Sequence, residues 1–287
     1  MEFHKLASTD AFIVFDLDEV PAVGVVRLAP KVLKDGAELL ARSTTYAMAS
    51  FGLAVGGASA GINAKPDDRD AALAAFLAEV APLVESGRWI PGPSVGINPG
   101  DLAPLARAEA RQTAFDPATI GASAVAAAVG ALGSLDGAAV AIVGSGPLPE
   151  AAAAAAAALG AVPQPQAAFD TACDVLLVAG KAGALEHDLA ATVRARAVVA
   201  LTPVPVTARA LAVLGRAGVV VVPDFLSTAA PLLAVLDPSG GDPLARVQAS
   251  VAEVAGQGTG LWMAAVERAE AHLSTWQAEL PFGRPLS

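Results

Sequence analysis

Short apolar runs alternate with helix-like stretches along the second half of the chain, and this alternation constrains the fold more than any other feature. The runs span residues 138–143, 175–178, 197–201 and 219–222, with helices predicted between them. The first half repeats the pattern, with strands at residues 11–15 and 23–28 and helices at residues 31–50 and 68–85. Strands that alternate with helices predict parallel sheets covered on both faces, so we expect an α/β fold in two domains.

The composition is apolar, with 54% hydrophobic and 16% charged residues. Most of the excess is alanine, and we expect no membrane span, because no apolar stretch reaches the about 18–20 residues that one needs. The opening MEFHKLASTD lacks the features of a signal peptide, so we predict a cytoplasmic protein. The net charge of -10 and the scattered basic residues predict no nucleic-acid partner.

Cysteine and histidine are scarce, which argues against a metal site. Cys173 is the one cysteine of the sequence and lies in an apolar run, so we interpret it as a buried, inert thiol. His4, His187 and His272 are far apart and have no ligand-like spacing. The sequence therefore predicts no metal cofactor.

Glycine and proline clusters mark the predicted turns. Residues 56–61, Gly-Gly-Ala-Ser-Ala-Gly, are interpreted as a flexible turn, and residues 91–93 and 98–100 as the frame of a loop. A helix over residues 122–132 is expected to lead into the second domain. Another helix, from Pro243 to about Leu280, is expected to close the chain.

The run Gly144-Ser145-Gly146 lies between a strand and an alanine-rich helix, as at the start of a dinucleotide-binding unit. Pro149 stands where that fingerprint has its third glycine. An acid that would hold a ribose hydroxyl is missing from residues 163–166, and the next acid is Asp170. We therefore predict that NAD(P) binds weakly or not at all.

The two prolines of residues 163–166 restrict that strand to an edge of the sheet, because each removes a hydrogen-bond donor. Few residues separate it from the strand at residue 175, whereas a parallel crossover needs about 10–12 residues with its helix. We therefore expect that a whole strand-helix unit is missing. The favoured interpretation is a reduced doubly wound domain kept for packing.

Several motifs share the spacing of one known family. They are Thr45-Tyr46-Ala47, Gly52-Leu53, residues 55–59, residues 21–27, Gly87-Arg88-Trp89-Ile90, Val95-Gly96 and residues 218–224. Together they resemble the Glu/Leu/Phe/Val amino-acid dehydrogenases, most closely the leucine and phenylalanine dehydrogenase branch. The resemblance covers nearly the whole chain. It implies an N-terminal α/β substrate-type domain followed by a Rossmann-like domain.

The resemblance also implies NAD-dependent oxidative deamination of an amino acid, but the positions for this chemistry are changed. Ala47 stands where the resemblance implies a lysine that grips the substrate carboxylate. Ser59 replaces a lysine that activates water, and Ser94 replaces an aspartate that passes protons. Two asparagines fall on Thr202 and Thr228. A serine hydroxyl does not replace such a base or proton shuttle near neutral pH without an activating neighbour.

Other polar residues leave alternatives open. Lys65 is either a relocated catalytic lysine or a solvated surface lysine. Asp101 is expected to cap a helix. Arg27 and Arg42 either bind a carboxylate in the cleft or form ordinary ion pairs.

The predicted site therefore combines three groups of residues. The catalytic candidates are Ser59, Ser94 and Lys65, the substrate-binding candidates are Gly56, Gly57, Ala47, Arg27 and Thr228, and the cofactor-binding candidates are Gly144, Ser145, Gly146 and Thr202. If the hydroxyls of Ser59, Ser94, Thr202 and Thr228 share one pocket, they are suited to a neutral polar ligand.

We divide the chain into an N-terminal substrate and oligomerisation domain (residues 1–125), a reduced Rossmann-like doubly wound domain (126–262) and a C-terminal helix and tail (263–287) that packs back on the first domain.

The favoured function is a catalytically degenerate homologue that binds a small molecule in the interdomain cleft, partners an active enzyme or performs non-redox chemistry. The alternative is a working NAD(P)-dependent oxidoreductase on an amino acid, imine or ketone. A third hypothesis, a purely structural subunit, predicts an empty or collapsed cleft. The apolar excess and the resemblance predict a homodimer.

Overall fold

The first domain is built on a mixed five-stranded sheet in the computed structural model, which describes residues 1–257 and 260–287. Its strands are β1 (Glu2–Lys5), β2 (Ala11–Phe15), β3 (Ala22–Ala29), β4 (Gly56–Asn63) and β5 (Trp89–Pro93), in the order β1-β2-β4-β3-β5. The helices α1 (Lys34–Ser50), α2 (Arg69–Glu85) and α3 (Ala108–Ala114) accompany it, with short 3-10 turns at Pro66–Asp68 and Pro99–Leu102. Strands β1 and β2 run antiparallel to their neighbours, and β3 is parallel to both β4 and β5.

Strand β4 occupies the segment that the sequence predicts as a flexible turn, so that prediction is wrong. Its glycines are required by close packing. A Cβ atom on Gly57 would lie 1.8 Å from the carbonyl oxygen of Ala41 in α1. On the neighbouring strand, a Cβ atom on Gly24 would lie 1.6 Å from the carbonyl oxygen of Ala58. Helix α1 therefore sits directly on the strand backbone, which only glycine permits.

Strand β5 includes residues 91–93, so the loop predicted there is wrong. It pairs with β3 and forms an edge of the sheet, where proline is tolerated because no further strand needs its N–H group. The ring of Phe115 covers Gly92, since a Cβ atom there would lie 2.3 Å from a ring carbon. This ring packs the segment that leads into the second domain against β5.

The second domain contains a parallel sheet in the order β10-β9-β8-β6-β7. Its strands are β6 (Ala139–Val143), β7 (Val162–Pro165), β8 (Val175–Val178), β9 (Ala197–Ala200) and β10 (Val220–Val222). The surrounding helices are α4 (Pro117–Leu132), α5 (Pro147–Ala158), α6 (His187–Ala190), α7 (Ala208–Arg216), α8 (Asp224–Ser227), α9 (Ala230–Leu236), α10 (Pro243–Ala255) and α11 (Leu261–Leu273). The predicted two-domain α/β fold is thus confirmed.

The sheet of the second domain lacks one strand of the complete doubly wound arrangement. The full arrangement has the order 3-2-1-4-5-6. Here β6, β7 and β8 take places 1, 2 and 4, and β7 forms the edge where strand 3 would lie. Residues 166–174, all of them described, join β7 to β8 without a helix. The predicted edge strand and the missing strand-helix unit are both confirmed.

Helix α4 belongs to the second domain by its packing. It contacts α5 and α10, and a Cβ atom on Gly121 would clash with the backbone of Ala152 in α5. The predicted boundary at residue 125 cuts through this helix, so we place the boundary before Pro117. The stretch Ala108–Leu132 is also long and apolar enough to cross a membrane by length and composition, contrary to the sequence expectation. It is divided at Phe115 and Asp116, and α4 lies in the protein core.

The C-terminal segment contains α10 and α11 instead of the single predicted helix. Residues 258 and 259, which that prediction included, lie outside the described residues. Helix α11 packs on α1 of the first domain, and the Tyr46 hydroxyl donates to Glu270 at 2.9 Å. Beyond α11, the carbonyl oxygen of Gly283 accepts a hydrogen bond from Arg42 at 2.6 Å. These contacts tie the end of the chain to α1.

Candidate functional site

A cavity of about 360 Å³ lies between the two domains. The first domain supplies β3, the segment after β5 and one face of α1, whose lining residues are Leu40, Ser43, Thr44 and Ala47. These residues recur at helical spacing, so they point from α1 in one direction. The second domain supplies the loops after β8 and β9, the start of α5 and the α8–α9 segment. The cleft is therefore open and has walls from both domains.

The cavity brings together part of the predicted site. Arg27, Ala47, Ser94, Thr202 and Thr228 line it. The other candidates do not. Those outside its lining are Ser59, Lys65, Gly56, Gly57, Gly144, Ser145 and Gly146.

Two of the catalytic candidates require correction. Lys65 is exposed and lines a different cavity of the first domain, beside Ser8 and Asp10. This position agrees with the solvated surface lysine and not with a catalytic lysine in the cleft. Ser59 lies in β4 beneath α1 and is completely buried, and its hydroxyl has no hydrogen-bond partner among the described residues.

Most hydroxyls of the cavity wall already donate to the protein. Thr202 donates to the carbonyl oxygen of Gly180 at 2.8 Å and accepts from its N–H at 3.0 Å. Thr228 donates to the carbonyl oxygen of Asp224 at 2.8 Å, and Thr44 donates to that of Leu40 at 3.2 Å. The Ser94 hydroxyl makes no hydrogen bond within residues 1–257 and 260–287. Of the four hydroxyl residues expected in one pocket, Ser94, Thr202 and Thr228 line the cavity and Ser59 does not. Among the described residues, Ser94 is the wall hydroxyl left to donate.

Asp224 is a buried carboxylate that sequence reasoning assigned to a turn and gave no chemical role. It accepts hydrogen bonds from the Ser43 hydroxyl and from the backbone N–H groups of Val204 and Phe225. Burial raises its pKa to about 6, although these hydrogen bonds oppose the shift. Val204, with φ of 52°, adopts a left-handed conformation that is costly for a β-branched residue. The loop after β9 is thus held against Asp224 at some conformational cost.

Arg27 is half-buried and has a different environment from the two buried arginines, Arg42 and Arg111. Its Nε and Nη2 atoms are buried and lack a hydrogen-bond partner in the described part of the chain, and burial lowers the pKa of its guanidinium. Arg42, in contrast, pairs with Asp16 at 2.7 Å. Arg111 donates to the carbonyl oxygens of Leu102 and Leu105 at 2.9 and 2.8 Å. The ion-pair alternative therefore holds for Arg42. Arg27 forms part of the cavity wall and makes no ion pair with the residues that the structure describes.

Asp101 has the capping role that the sequence predicts, whereas Cys173 is half-buried and not fully buried as predicted. Asp101 accepts from the N–H of Asn98 at 2.8 Å and completes a capping box there. Burial raises the pKa of the Cys173 thiol, which makes it a poor nucleophile. Among the described residues, no group of three or more His, Cys, Asp or Glu side chains is placed to hold a metal ion.

The turn between β6 and α5 is the part of the second domain where a dinucleotide would bind. A diphosphate binds to free N–H groups in the first turn of the helix after the first strand. In α5 the first and third positions are Pro147 and Pro149, which have no N–H, and Glu150 adds a negative charge to the same turn. Strand β7 ends at Pro165 and provides no acid for a ribose hydroxyl. These residues do not fit a dinucleotide.

The fold and the cleft define a two-domain α/β protein with a Rossmann-like second domain. Residues 4–110 match the family model described as Glu/Leu/Phe/Val dehydrogenase, dimerisation domain. The N-terminal domain is therefore similar to this family, and the resemblance seen in the sequence is confirmed.

Three solved structures share the fold over most of the chain. The hetero-hexameric glutamate dehydrogenase of Thermus thermophilus, in its Leu-bound form, has 24% identity and a TM-score of 0.75, with 92% of this chain and 83% of that chain covered. The L-tryptophan dehydrogenase of Nostoc punctiforme has 21% identity and a TM-score of 0.66, with 96% and 95% covered. A glutamate dehydrogenase of Plasmodium falciparum has 12% identity and a TM-score of 0.72, with 92% and 79% covered. No curated protein sequence matches the chain.

Proposed function

We propose that this protein is a catalytically degenerate relative of the amino-acid dehydrogenases that binds a small molecule between its domains and does not perform oxidative deamination. One observation carries the proposal. The cavity of about 360 Å³ remains open, while the first turn of α5 beside it has lost two N–H donors to Pro147 and Pro149. This combination supports a small-molecule site beside a turn that offers few N–H groups to a dinucleotide.

The residues available in the cleft support this proposal chemically. Deamination needs a base that activates water and a group that shuttles protons. Ser94 offers a hydroxyl at the cavity wall, and Ser59 is buried beneath α1. Neither has a described neighbour that would activate it, so water would remain unactivated.

We further propose that the chain forms a homodimer through its N-terminal domain or joins an active enzyme as a partner subunit. The matching family model is described as a dimerisation domain, and the Thermus relative is described as hetero-hexameric. Both descriptions support assembly, and the first favours the N-terminal domain as its site.

A titration of the full chain with NADH, followed by cofactor fluorescence, tests the redox part. We expect no saturable binding, and a dissociation constant in the low micromolar range would contradict the proposal. Thermal shift with a panel of small acids, alcohols and amides tests the binding part. Ala182→Trp, at an exposed position on the cavity wall, should abolish any shift, whereas Ala154→Trp on the exposed face of α5 should not.

A working NAD(P)-dependent oxidoreductase on an amino acid, imine or ketone is the second candidate. Gly144 and Gly146 favour it, because both keep the positive φ angles, 105° and 103°, of a tight strand-to-helix turn. The same titration decides between the two candidates. Tight NADH binding together with substrate-dependent oxidation of the cofactor would establish the second.

A further inference from the structure

We propose that residues 281–287, the C-terminal strap, tie the two domains together, limit how far they separate and thereby set the width of the interdomain cavity. One part of the C-terminal strap is fixed to α1 of the first domain, and its last residue is fixed to the start of α7 in the second. The inference adds a control to the cavity of the proposed function and rests on that function only for its consequence. Domain separation itself can be measured without a ligand.

The first anchor of the C-terminal strap is the guanidinium of Arg42 in α1. Its Nη1 atom donates to the carbonyl oxygens of Phe282 and Gly283, to the second at 2.6 Å. Its Nε and Nη2 atoms both contact a carboxylate oxygen of Asp16, at the end of β2, at 2.7 Å. The side chains of Arg42 and Asp16 are buried. Asp16 therefore fixes the direction in which Arg42 holds the backbone of the C-terminal strap.

The middle of the C-terminal strap makes a weaker contact. Arg284 donates from Nε to Glu270 of α11 at 3.3 Å, and the same carboxylate oxygen accepts from the hydroxyl of Tyr46 in α1 at 2.9 Å. Arg284 is exposed, and exposed ion pairs contribute little to stability. The contact guides the C-terminal strap past α11, while the two end anchors hold it.

The second anchor lies in the second domain. The N–H of Ala208, the first residue of α7, donates to the carbonyl oxygen of Ser287 at 3.1 Å. The Ser287 side chain lies against the loop after β8, since a Cβ atom on Gly183 would be 2.9 Å from its Oγ. Just before it, Pro285 is buried and Leu286 packs against the main hydrophobic core. The last three residues of the C-terminal strap are thus part of the second domain.

The second anchor adjoins the cavity wall. Three residues of the loop after β8 line the cavity directly before Gly183: Gly180, Lys181 and Ala182. The N–H of Gly183 donates to the carbonyl oxygen of Val204 at 2.9 Å, which joins the loop after β9 to the same contact. Arg42, in contrast, lies by helical spacing on the side of α1 away from its cavity-lining face. The C-terminal strap therefore does not fill the cavity but holds its two walls together.

The length of the C-terminal strap limits the separation that it permits. The anchored residues Gly283 and Ser287 are four residues apart in the chain. Extended chain spans at most about 3.6 Å per residue, so the two anchors stay within about 14 Å of each other while both hold. Pro285 stiffens the segment between them by fixing its own φ angle. Wider opening of the cleft requires the release of one anchor.

Ala208→Pro releases the second anchor and leaves α7 intact. It removes the N–H that Ser287 accepts, and proline is favoured at the first position of a helix. Thr207 has the extended backbone that a residue before proline requires, with φ of -77° and ψ of 157°. His187→Pro is the matched control, because it makes the same change at the first position of α6, which forms no hydrogen bond to the described residues of the C-terminal strap.

Cleavage by chymotrypsin after Phe282 reports whether the C-terminal strap is held. The Phe282 side chain is 99% exposed, but Arg42 binds the carbonyl group that the protease must attack. Cleavage therefore requires local release. We expect Ala208→Pro to accelerate it about threefold to tenfold, the change in an equilibrium when one hydrogen bond is lost, and His187→Pro to leave it unchanged. Mass spectrometry identifies the fragment that ends at Phe282.

The distance between two spin labels reports whether the domains separate. One label is placed at Val95→Cys, on the exposed first-domain wall of the cavity. The other is placed at Ala154→Cys, on the exposed face of α5, whose first turn lines the opposite wall. Cys173→Ser removes the native thiol from the labelled full-length chain. We expect Ala208→Pro to lengthen and broaden the distance distribution, and His187→Pro to keep that of the parent.

Leu286→Ser releases the same end of the C-terminal strap through a different contact and should shift both readouts in the same direction. Faster cleavage with an unchanged distance would overturn the tie between the domains. Unchanged cleavage in both Ala208→Pro and Leu286→Ser would overturn the second anchor. Equal effects of His187→Pro and Ala208→Pro would overturn the role of the C-terminal strap. Tight NADH binding would overturn the proposed function alone, because neither readout uses a ligand.

Discussion

The hydroxyl of Ser43 donates a hydrogen bond to the carboxylate of Asp224, and this bond joins α1 of the first domain to the start of α8 in the second. Both side chains are buried. Ser43 also lines the cavity, so the bond lies directly behind the proposed ligand site. The protonation of Asp224 is therefore coupled to how the two domains meet.

Stability should fall as the pH rises through the range in which Asp224 ionises. Its pKa is about 6 in the folded chain against the ordinary 3.8, so between these values the folded state holds a proton that the unfolded state has released. Unfolding then becomes easier with increasing pH, by at most roughly 3 kcal/mol at about 1.4 kcal/mol per pKa unit. Urea unfolding followed by tryptophan fluorescence at pH 4 to 8 measures this slope.

Asp224→Asn should remove that slope and leave the protein more stable than the wild type above pH 6. The neutral side chain still offers an oxygen to Ser43 but has no charge to bury. Asp67→Asn, at an exposed position, serves as the control and should keep the wild-type profile. Identical profiles for wild type and Asp224→Asn would show that Asp224 does not titrate in this range.

Gly57→Ala should destabilise the first domain by at least about 3 kcal/mol, since the added carbon would lie 1.8 Å from the carbonyl oxygen of Ala41. Helix α1 would have to move away from β4. Gly215→Ala, in an exposed turn of α7 where the added carbon meets nothing within 4 Å, should instead stabilise by roughly 0.5–1 kcal/mol. Chemical denaturation compares the two variants, and a well-folded Gly57→Ala protein would contradict the close packing.

The chain should be a dimer in size-exclusion chromatography coupled to light scattering, and Phe3→Lys should shift it towards the monomer. Phe3 lies on the edge strand β1 and is 46% exposed. Leu159 is similarly exposed, at 48%, but lies at the end of α5 in the second domain. Leu159→Lys should therefore leave the dimer intact, and a monomeric wild type at high micromolar concentration would refute the proposal.

Ser59→Lys should not restore oxidative deamination. The lysine would supply one base. However, Ala47 cannot bind a substrate carboxylate, and Ser94 cannot act as a carboxylic acid. The first turn of α5 also offers few N–H donors to a cofactor. Catalytic groups that act together have strongly non-additive effects. Absorbance of NADH with an amino-acid panel and both cofactors, on wild type and variant, measures the outcome. Turnover by the wild-type protein would mean that another group, with Lys65 the first to test, supplies the base, and turnover by the variant alone would contradict this prediction.

The sheet of the second domain could be predicted from the sequence because buried parallel strands are continuous apolar runs. Strands β8 and β9, with patterns of valine, leucine and alanine, are buried along their whole length. Strand β4 escaped prediction because its glycines and alanines, which allow α1 to approach, also resemble a turn. Strand β5 escaped it because its prolines are acceptable only at a sheet edge, and edges are defined by the whole fold.

The candidate site was less predictable, because it depends on which side chains find partners. Ser43 and Asp224 are 181 residues apart, and no local pattern links them. The sequence offered Arg27 and Arg42 as equivalent candidates, and Asp16 in the folded chain separates them by pairing with Arg42 alone. The hydroxyls of Thr202 and Thr228 were identified, but their bonds to nearby carbonyl groups were not.

Strand β7 lies at the open edge of the second sheet, and its prolines oppose pairing with a strand from another molecule. In a strand, successive backbone groups point to opposite sides, and the N–H of Val162 points inward to the carbonyl oxygen of Ala138. The outward positions are therefore Pro163 and Pro165, which have no N–H to offer an incoming strand. Aggregation through an open edge is a common hazard that proline suppresses. Replacing both prolines by valine would turn this border into a template for amyloid-like stacking.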